Sequence, residues 1–399
     1  MIYKISCKNF CSFKEENCLS FEVDNKAPKN DAYVNSFSGR LSKVEVIIGA
    51  NASGKTNLMK VLPFLKWIII DSFATDPNSL IPVEVFAFGP NSKKNCILSV
   101  DFEINKSIYH YNIELNEERI YKEILTVKNK TKKRVTEKKV FEREWNQKEN
   151  KYDFDFRKYN FPVGINEMLR SNSSLMASAI RLNHSLSQEI TTYWKKLETN
   201  VVKIGYSESE NNLLQALIAY SQDPQLKSKV EKLLSRFDLG LSELNIFKEK
   251  DDQGKPAIKA SVLHKIENEE YSLSLNSESS GTKKLISILR PILKVLMNGG
   301  IAVLDEIDVN LHPDIVSTIV SLFVNKNSNP FNAQFLFSTH SHVVLSRLDK
   351  YQIILTEKKK DGSTVAWRLD DNKDIVRSDE NIYAKYMSGA YGAVPDIDL

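Results

Sequence analysis

Val44-Glu45-Val46-Ile47-Ile48-Gly49-Ala50-Asn51-Ala52-Ser53-Gly54-Lys55-Thr56 joins a mostly apolar, strand-like run to the pattern G-x-x-x-x-G-K-[ST]. Two glycines let backbone N–H groups curl around a phosphate, the lysine reaches its oxygens, and the threonine hydroxyl can hold Mg²⁺. A helix starting there, expected over Asn57 to Lys66, points the positive end of its dipole at the same place. The spacing predicts a loop that binds a nucleoside triphosphate, built from Gly49, Asn51, Ala52, Ser53, Gly54, Lys55, Thr56 and Asn57.

Such a loop needs a carboxylate for Mg²⁺ and a group to activate water. Ile301-Ala302-Val303-Leu304-Asp305-Glu306 supplies both, because a continuously apolar run ending in acids reads as a central parallel strand buried on both faces. Asp305 is expected to hold the metal with Thr56, and Glu306 to act as general base. A second buried run, Gln334-Phe335-Leu336-Phe337-Ser338, ends in Thr339-His340, where an imidazole could contact the γ-phosphate. Upstream, Ser279-Ser280-Gly281 opens a helix-like stretch with apolar Leu285, Ile286, Leu289, Leu293 and Leu296, a second helix start able to meet an anion or simply to cap itself.

The order of these motifs resembles the ABC-type ATPase heads of the SMC, RecN and OLD group. It is closer still to the AAA-annotated, ABC-like ATPases of bacterial anti-phage systems, the PARIS system among them. The residues that carry the likeness are Asn9-Phe10-Cys11-Ser12-Phe13, Asp305-Glu306-Ile307-Asp308, Asn310-Leu311-His312-Pro313, Ser338-Thr339-His340 and the tail Tyr391-Gly392-Ala393-Val394-Pro395. The resemblance implies an α/β P-loop NTPase fold: an ABC-type head with a mixed sheet, an antiparallel β subdomain and an inserted helical subdomain. It also implies ATP and Mg²⁺ as cofactors. Ser279, Ser280 and Gly281 then match the signature that closes on ATP held by another subunit, and His340 matches the switch histidine. Ser280 stands where transporter heads usually carry Gly, His312 where they carry Asp, and no Q-loop glutamine occurs between residues 70 and 110.

The 399 residues carry 42% hydrophobic and 27% charged side chains, enough for a sizeable core. The longest apolar run, Val61 to Ile70, contains Pro63 and Lys66 and falls short of the roughly 20 residues of a membrane span. The opening residues do not read as a signal peptide, so a cytoplasmic location with no membrane partner is expected. Cys7, Cys11, Cys18 and Cys96 read as reduced thiols. A net charge of +4 does not by itself call for nucleic acid. Eight Lys or Arg residues between Lys128 and Arg143 form the best basic run, on an expected hairpin.

Periodicity divides the chain into an N-terminal ATPase lobe over 1–80, an antiparallel β subdomain over 81–145, a mainly helical insertion over 146–270 and a C-terminal ATPase lobe over 271–399. No sustained heptads appear, which excludes a long coiled-coil arm. Taken with the resemblance, this predicts an ATP hydrolase, slow and regulatory, working at composite sites in a homodimer or larger homo-oligomer. It would sense infection through a phage-derived trigger and control a separate effector protein, a toxin or nuclease encoded nearby. Nucleic acid is a possible partner without being required. The alternative reading is a DNA-maintenance ATPase of the RecF or SMC kind.

Overall fold

The structure is a computed structural model that describes the chain except residues 131–134, 157–160, 163, 203–204, 207–209, 238–239, 251–255, 268, 372–380 and 395–399. At its centre lies a six-stranded sheet, in the order Leu197–Thr199, Ile301–Leu304, Gln334–Ser338, Val44–Ile48, Ile353–Lys358, Thr364–Arg368. The first five run parallel and the last turns back antiparallel. Every residue of the three strands that end in the motifs is buried, as strands covered on both faces must be.

The alternation of side chains sorts these strands into two cores. Val44, Val46, Ile48, Ala302, Leu304, Phe335 and Phe337 face the helices Ser280–Asn298 and Pro313–Val324. Ile47, Ile301, Val303 and Leu336 face the helix Val61–Ile70 and a second sheet. That second sheet has seven strands, ordered Lys151–Asp155, Val135–Asn146, Ile120–Lys130, Ser107–Leu115, Cys96–Ile104, Ile2–Lys8, Asn17–Ser20. The arrangement is the mixed α/β class expected, with an antiparallel sheet packed beside a mainly parallel one.

Three details differ from the sequence reading. The expected helix over Asn57 to Lys66 is two helices, Lys55–Met59 and Val61–Ile70. Pro63 has no N–H to continue the first helix, but it fits in the opening turn of the second. The strands Ile2–Lys8 and Asn17–Ser20 leave the first lobe and complete the antiparallel sheet, with Ile5 paired to Val100. The insertion expected to be mainly helical contains Leu175–Arg181, Ser185–Trp194, Glu210–Gln222 and Pro224–Arg236, but its last part is a three-stranded antiparallel sheet, Leu241–Lys250, Pro256–Ile266 and Glu269–Ser274. One face of that sheet, through Leu244 and Val262, is buried. This is the period-two alternation of a half-buried sheet.

The basic run is not a uniform patch. Lys132, Lys133 and Arg134 lie outside the described residues, as does Pro395 of the tail. Arg143 is fully buried and pairs with the equally buried Glu123 at 2.9 Å. Glu123 also accepts hydrogen bonds from Tyr111 and from the backbone of Leu175, so this pair fastens the antiparallel sheet to a helix start. Cys7, Cys11, Cys18 and Cys96 are free thiols. Among the described residues no helix is long and apolar enough to cross a membrane.

Candidate nucleotide site

The central strands end side by side, and their C-terminal ends carry the motif residues. The loop after Val44–Ile48 needs glycine at position 54, whose φ is +103° and whose added Cβ would sit 2.4 Å from Thr364 Oγ1. Lys55 is buried and donates to the loop's own carbonyls, Gly49 at 2.9 Å and Ala50 at 3.0 Å. Burial lowers its pKa, against the attraction of Asp305, Glu306 and Asp308.

The loop is braced from behind by hydroxyls. Ser53 Oγ meets Thr356 Oγ1 at 2.8 Å, Thr364 Oγ1 donates to the Ser53 carbonyl at 3.0 Å, and Ser12 Oγ lies 2.8 Å from Thr364 Oγ1. Asn57 reaches the same Ser12 at 2.9 Å. Thr356 and Thr364 carry no sequence signal, because they lie about three hundred residues beyond the loop and only the sheet order brings them to it.

Asp305 is 1% exposed and sits at the centre of the cluster. One carboxylate oxygen accepts from Thr56 Oγ1 and the other from Ser338 Oγ. Ser338 in turn accepts from the backbone N–H of Glu306 at 2.8 Å. The next residue, Glu306, has a φ of +47°, a left-handed conformation that costs a non-glycine residue about 1–3 kcal/mol. That turn swings its side chain toward His340, whose Nε2 is 3.7 Å from Glu306 Oε1, both side chains being part exposed at 39% and 40%. The backbone N–H of His340 bonds both carboxylate oxygens of Asp308 at 3.1 Å. His342, two residues on, packs its ring 4.9 Å from that of Tyr386. Its pKa is lowered by burial and by the neighbouring His340.

Thr56, Lys55, Asp305, Glu306 and His340 are thus brought to one place. Ser279, Ser280 and Gly281 are not: among the described residues no hydrogen bond or ion pair joins them to the loop. Ser279 caps its own helix, accepting from Thr282 N–H at 3.0 Å, while Ser279 and Ser280 are exposed. Gly281 packs so closely on the Asn310 carbonyl that a Cβ would lie 2.6 Å from it. His312 caps the helix Pro313–Val324. The amide beside Asp305 is not a glutamine between 70 and 110 but Asn200, at the end of the strand Leu197–Thr199. The tail is anchored through Tyr386 Oη to the Ala393 carbonyl at 3.0 Å and Ala393 N–H to Glu357 at 3.1 Å.

The chemistry of the donors fits the implied ligands. Thr56 and Asp305 offer hard oxygens of the kind Mg²⁺ prefers, and a glycine-lined loop running into a helix start offers backbone N–H groups to phosphate.

A family model described as "AAA domain, putative AbiEii toxin, Type IV TA system" matches residues 45–346. The chain is similar to the "Retron Vc95 probable ATPase" of Vibrio cholerae serotype O1 biovar El Tor, 29% identical over 43% of this chain and 34% of that protein. It is similar to the "Retron Ec83 probable ATPase" of Escherichia coli, 24% identical over 51% of this chain and 42% of that protein. In both cases the match spans less than half the length of the relative. Among solved structures, the SMC head domain from Thermotoga maritima is 17% identical, over 92% of this chain and 98% of that one, with a TM-score of 0.45. An SMC head bound to the C-winged helix domain of ScpA is 16% identical, over 93% and 99%, with a TM-score of 0.49.

Proposed function

The chain belongs to the AAA-domain family matched over residues 45–346, and on that premise we propose that it is an ABC-type ATPase that controls a separate effector protein in defence against phage. The observation that carries the ATPase reading is the meeting of Thr56, Asp305, Glu306 and His340 at adjoining strand ends, beside Lys55. In this reading the loop N–H groups and Lys55 bind the β- and γ-phosphates, and Lys55 exchanges its bonds to the Gly49 and Ala50 carbonyls for phosphate oxygens. Thr56 and Asp305 would hold Mg²⁺, which when bound offsets charge developing on the phosphates. Glu306 takes a proton from the attacking water, and His340, alongside it, orients that water against the γ-phosphate.

Ser279, Ser280 and Gly281 lie apart from this cluster within the chain, which favours their acting on ATP held by a second copy. The protein would then work as a homodimer or a larger ring of such contacts. The retron ATPases among its relatives and its motif likeness to anti-phage ATPases support the defence role. A cytoplasmic location follows from the same reading.

The test is hydrolysis of ATP with Mg²⁺ by the purified protein, together with its mass in solution. We expect Glu306→Gln to hold ATP, fail to hydrolyse it and accumulate as dimer, and to co-purify with the protein encoded beside it. Wild-type hydrolysis by Glu306→Gln would remove the assigned base. Recovery of bound DNA without a protein partner would favour the DNA-maintenance alternative.

A further inference from the structure

The strand Leu197–Thr199 pairs with Ile301–Leu304 through three residues, ending at Thr199 opposite Val303, and then turns away. Val201 donates to Thr199 Oγ1 at 2.8 Å in that turn, and Val201–Val202 enters a different, two-stranded sheet. The backbone of Asp305 would lose its ladder partner at the point where its position matters most. Asn200 replaces that partner. Its side-chain oxygen accepts from Asp305 N–H at 2.8 Å, and its Nδ2 donates to the Asp305 carbonyl at 2.9 Å. Only 8% of Asn200 is exposed. An asparagine amide carries a donor and an acceptor in one plane, as a peptide does, and this pairing admits one orientation of it.

We propose that Asn200 is a positioning residue for catalysis, a two-point clamp that holds the backbone of Asp305 so that its carboxylate stays aimed at the metal. The inference rests on the proposed role of Asp305 as a Mg²⁺ ligand. The carboxylate itself is shared between Thr56 and Ser338. Those two hydroxyls hold the carboxylate oxygens from the side-chain end, and the backbone that carries them is held from the other end: among the described residues Asn200 is the side chain bonded to both polar groups of that backbone. Residues that orient a metal ligand without touching the metal are worth about 10–100-fold in metal affinity or activity.

The test is the Mg²⁺ dependence of ATP hydrolysis in the full chain carrying Asn200→Asp or Asn200→Ser. The aspartate keeps the shape but opposes a carboxylate to the Asp305 carbonyl; the serine is too short to reach both groups. We expect the Mg²⁺ concentration for half-maximal activity to rise about 10-fold or more, with binding of a fluorescent ATP analogue in EDTA unchanged. Thr199→Val, which disturbs the same turn without touching Asp305, should leave the Mg²⁺ dependence as in wild type. If both Asn200 variants keep the wild-type Mg²⁺ dependence, or if Thr199→Val shifts it equally, the clamp is refuted and Asn200 is a plain structural residue. A wild-type protein that neither binds nor hydrolyses ATP would instead overturn the proposed function and the clamp with it.

Discussion

The chain has two helix starts of the kind that meet phosphate, and they are built differently. At Lys55–Met59 the preceding glycine is left-handed, a buried lysine folds over the loop, and acids and a histidine from two other strands converge on it. At Ser280–Asn298 the start is longer and better capped, yet its first donors are partly used by Ser279 and its Gly281 packs on the Asn310 carbonyl. A helix terminus supplies N–H groups and a dipole. Hydrolysis also needs metal ligands and a base, and among the described residues the groups we propose for those roles, Thr56, Asp305 and Glu306, gather where the parallel strands end together. The second start can therefore complete a site but cannot make one, which is why we read it as acting on the ATP of another copy.

Several substitutions would break or sharpen this contrast. Glu306→Gln should lower kcat about 10²–10⁴-fold while ATP binding is kept, as expected for loss of a general base; steady-state and equilibrium-binding measurements on one preparation separate the two. Lys55→Ala removes charge-assisted bonds worth about 3 kcal/mol, or on the order of 100-fold in ATP affinity. Retained affinity in a titration would count against the first helix start as the phosphate site. Gly281→Ala forces a Cβ onto the Asn310 carbonyl and should weaken ATP-driven association by about 1–3 kcal/mol. Because it leaves the Gly49–Thr56 loop alone, ATP affinity of the single chain should not move, and a lower sedimenting mass with ATP in analytical ultracentrifugation, without a change of affinity, is the signature to seek.

The last effect is on stability rather than on ATP, and concerns Glu45, fully buried in the strand that feeds the first start, with neither carboxyl oxygen hydrogen-bonded among the described residues. Burial raises its pKa well above the usual range, with Arg368 acting in the opposite direction. The native state thus holds a proton that the unfolded chain releases near pH 4.5, so stability falls as pH rises above that value. Each unit of elevation costs about 1.4 kcal/mol at high pH. Glu45→Gln should raise stability more at pH 8 than at pH 5 in urea denaturation; an equal change at both would show that the carboxyl is ionised in the fold.

The elements that were legible from sequence are those whose evidence is local. Ile301–Leu304 and Gln334–Ser338 are continuous apolar runs ending in polar motifs, and each is a buried parallel strand. The sheet over 241–274 was also legible in part, since Ile258-Lys259-Ala260-Ser261-Val262 alternates. Arg143 shows the opposite case: counted as one more cation in a basic run, it is an internal ion pair, because burial depends on what Glu123 and Ser173 place around it.

By itself the sequence determined the phosphate loop on its strand, the acid pair, the histidine at a strand end and the α/β class, because motif spacing and side-chain periodicity act over a few residues. The tertiary structure alone decided that Ile2–Lys8 joins the strand Cys96–Ile104, that Ser12, Thr356 and Thr364 brace the loop, and that Asn200 grips Asp305. Those are hydrogen bonds between segments far apart in the chain. Which segments meet is set by sheet order and by the burial of two opposite faces, and neither quantity is written in any one stretch of residues.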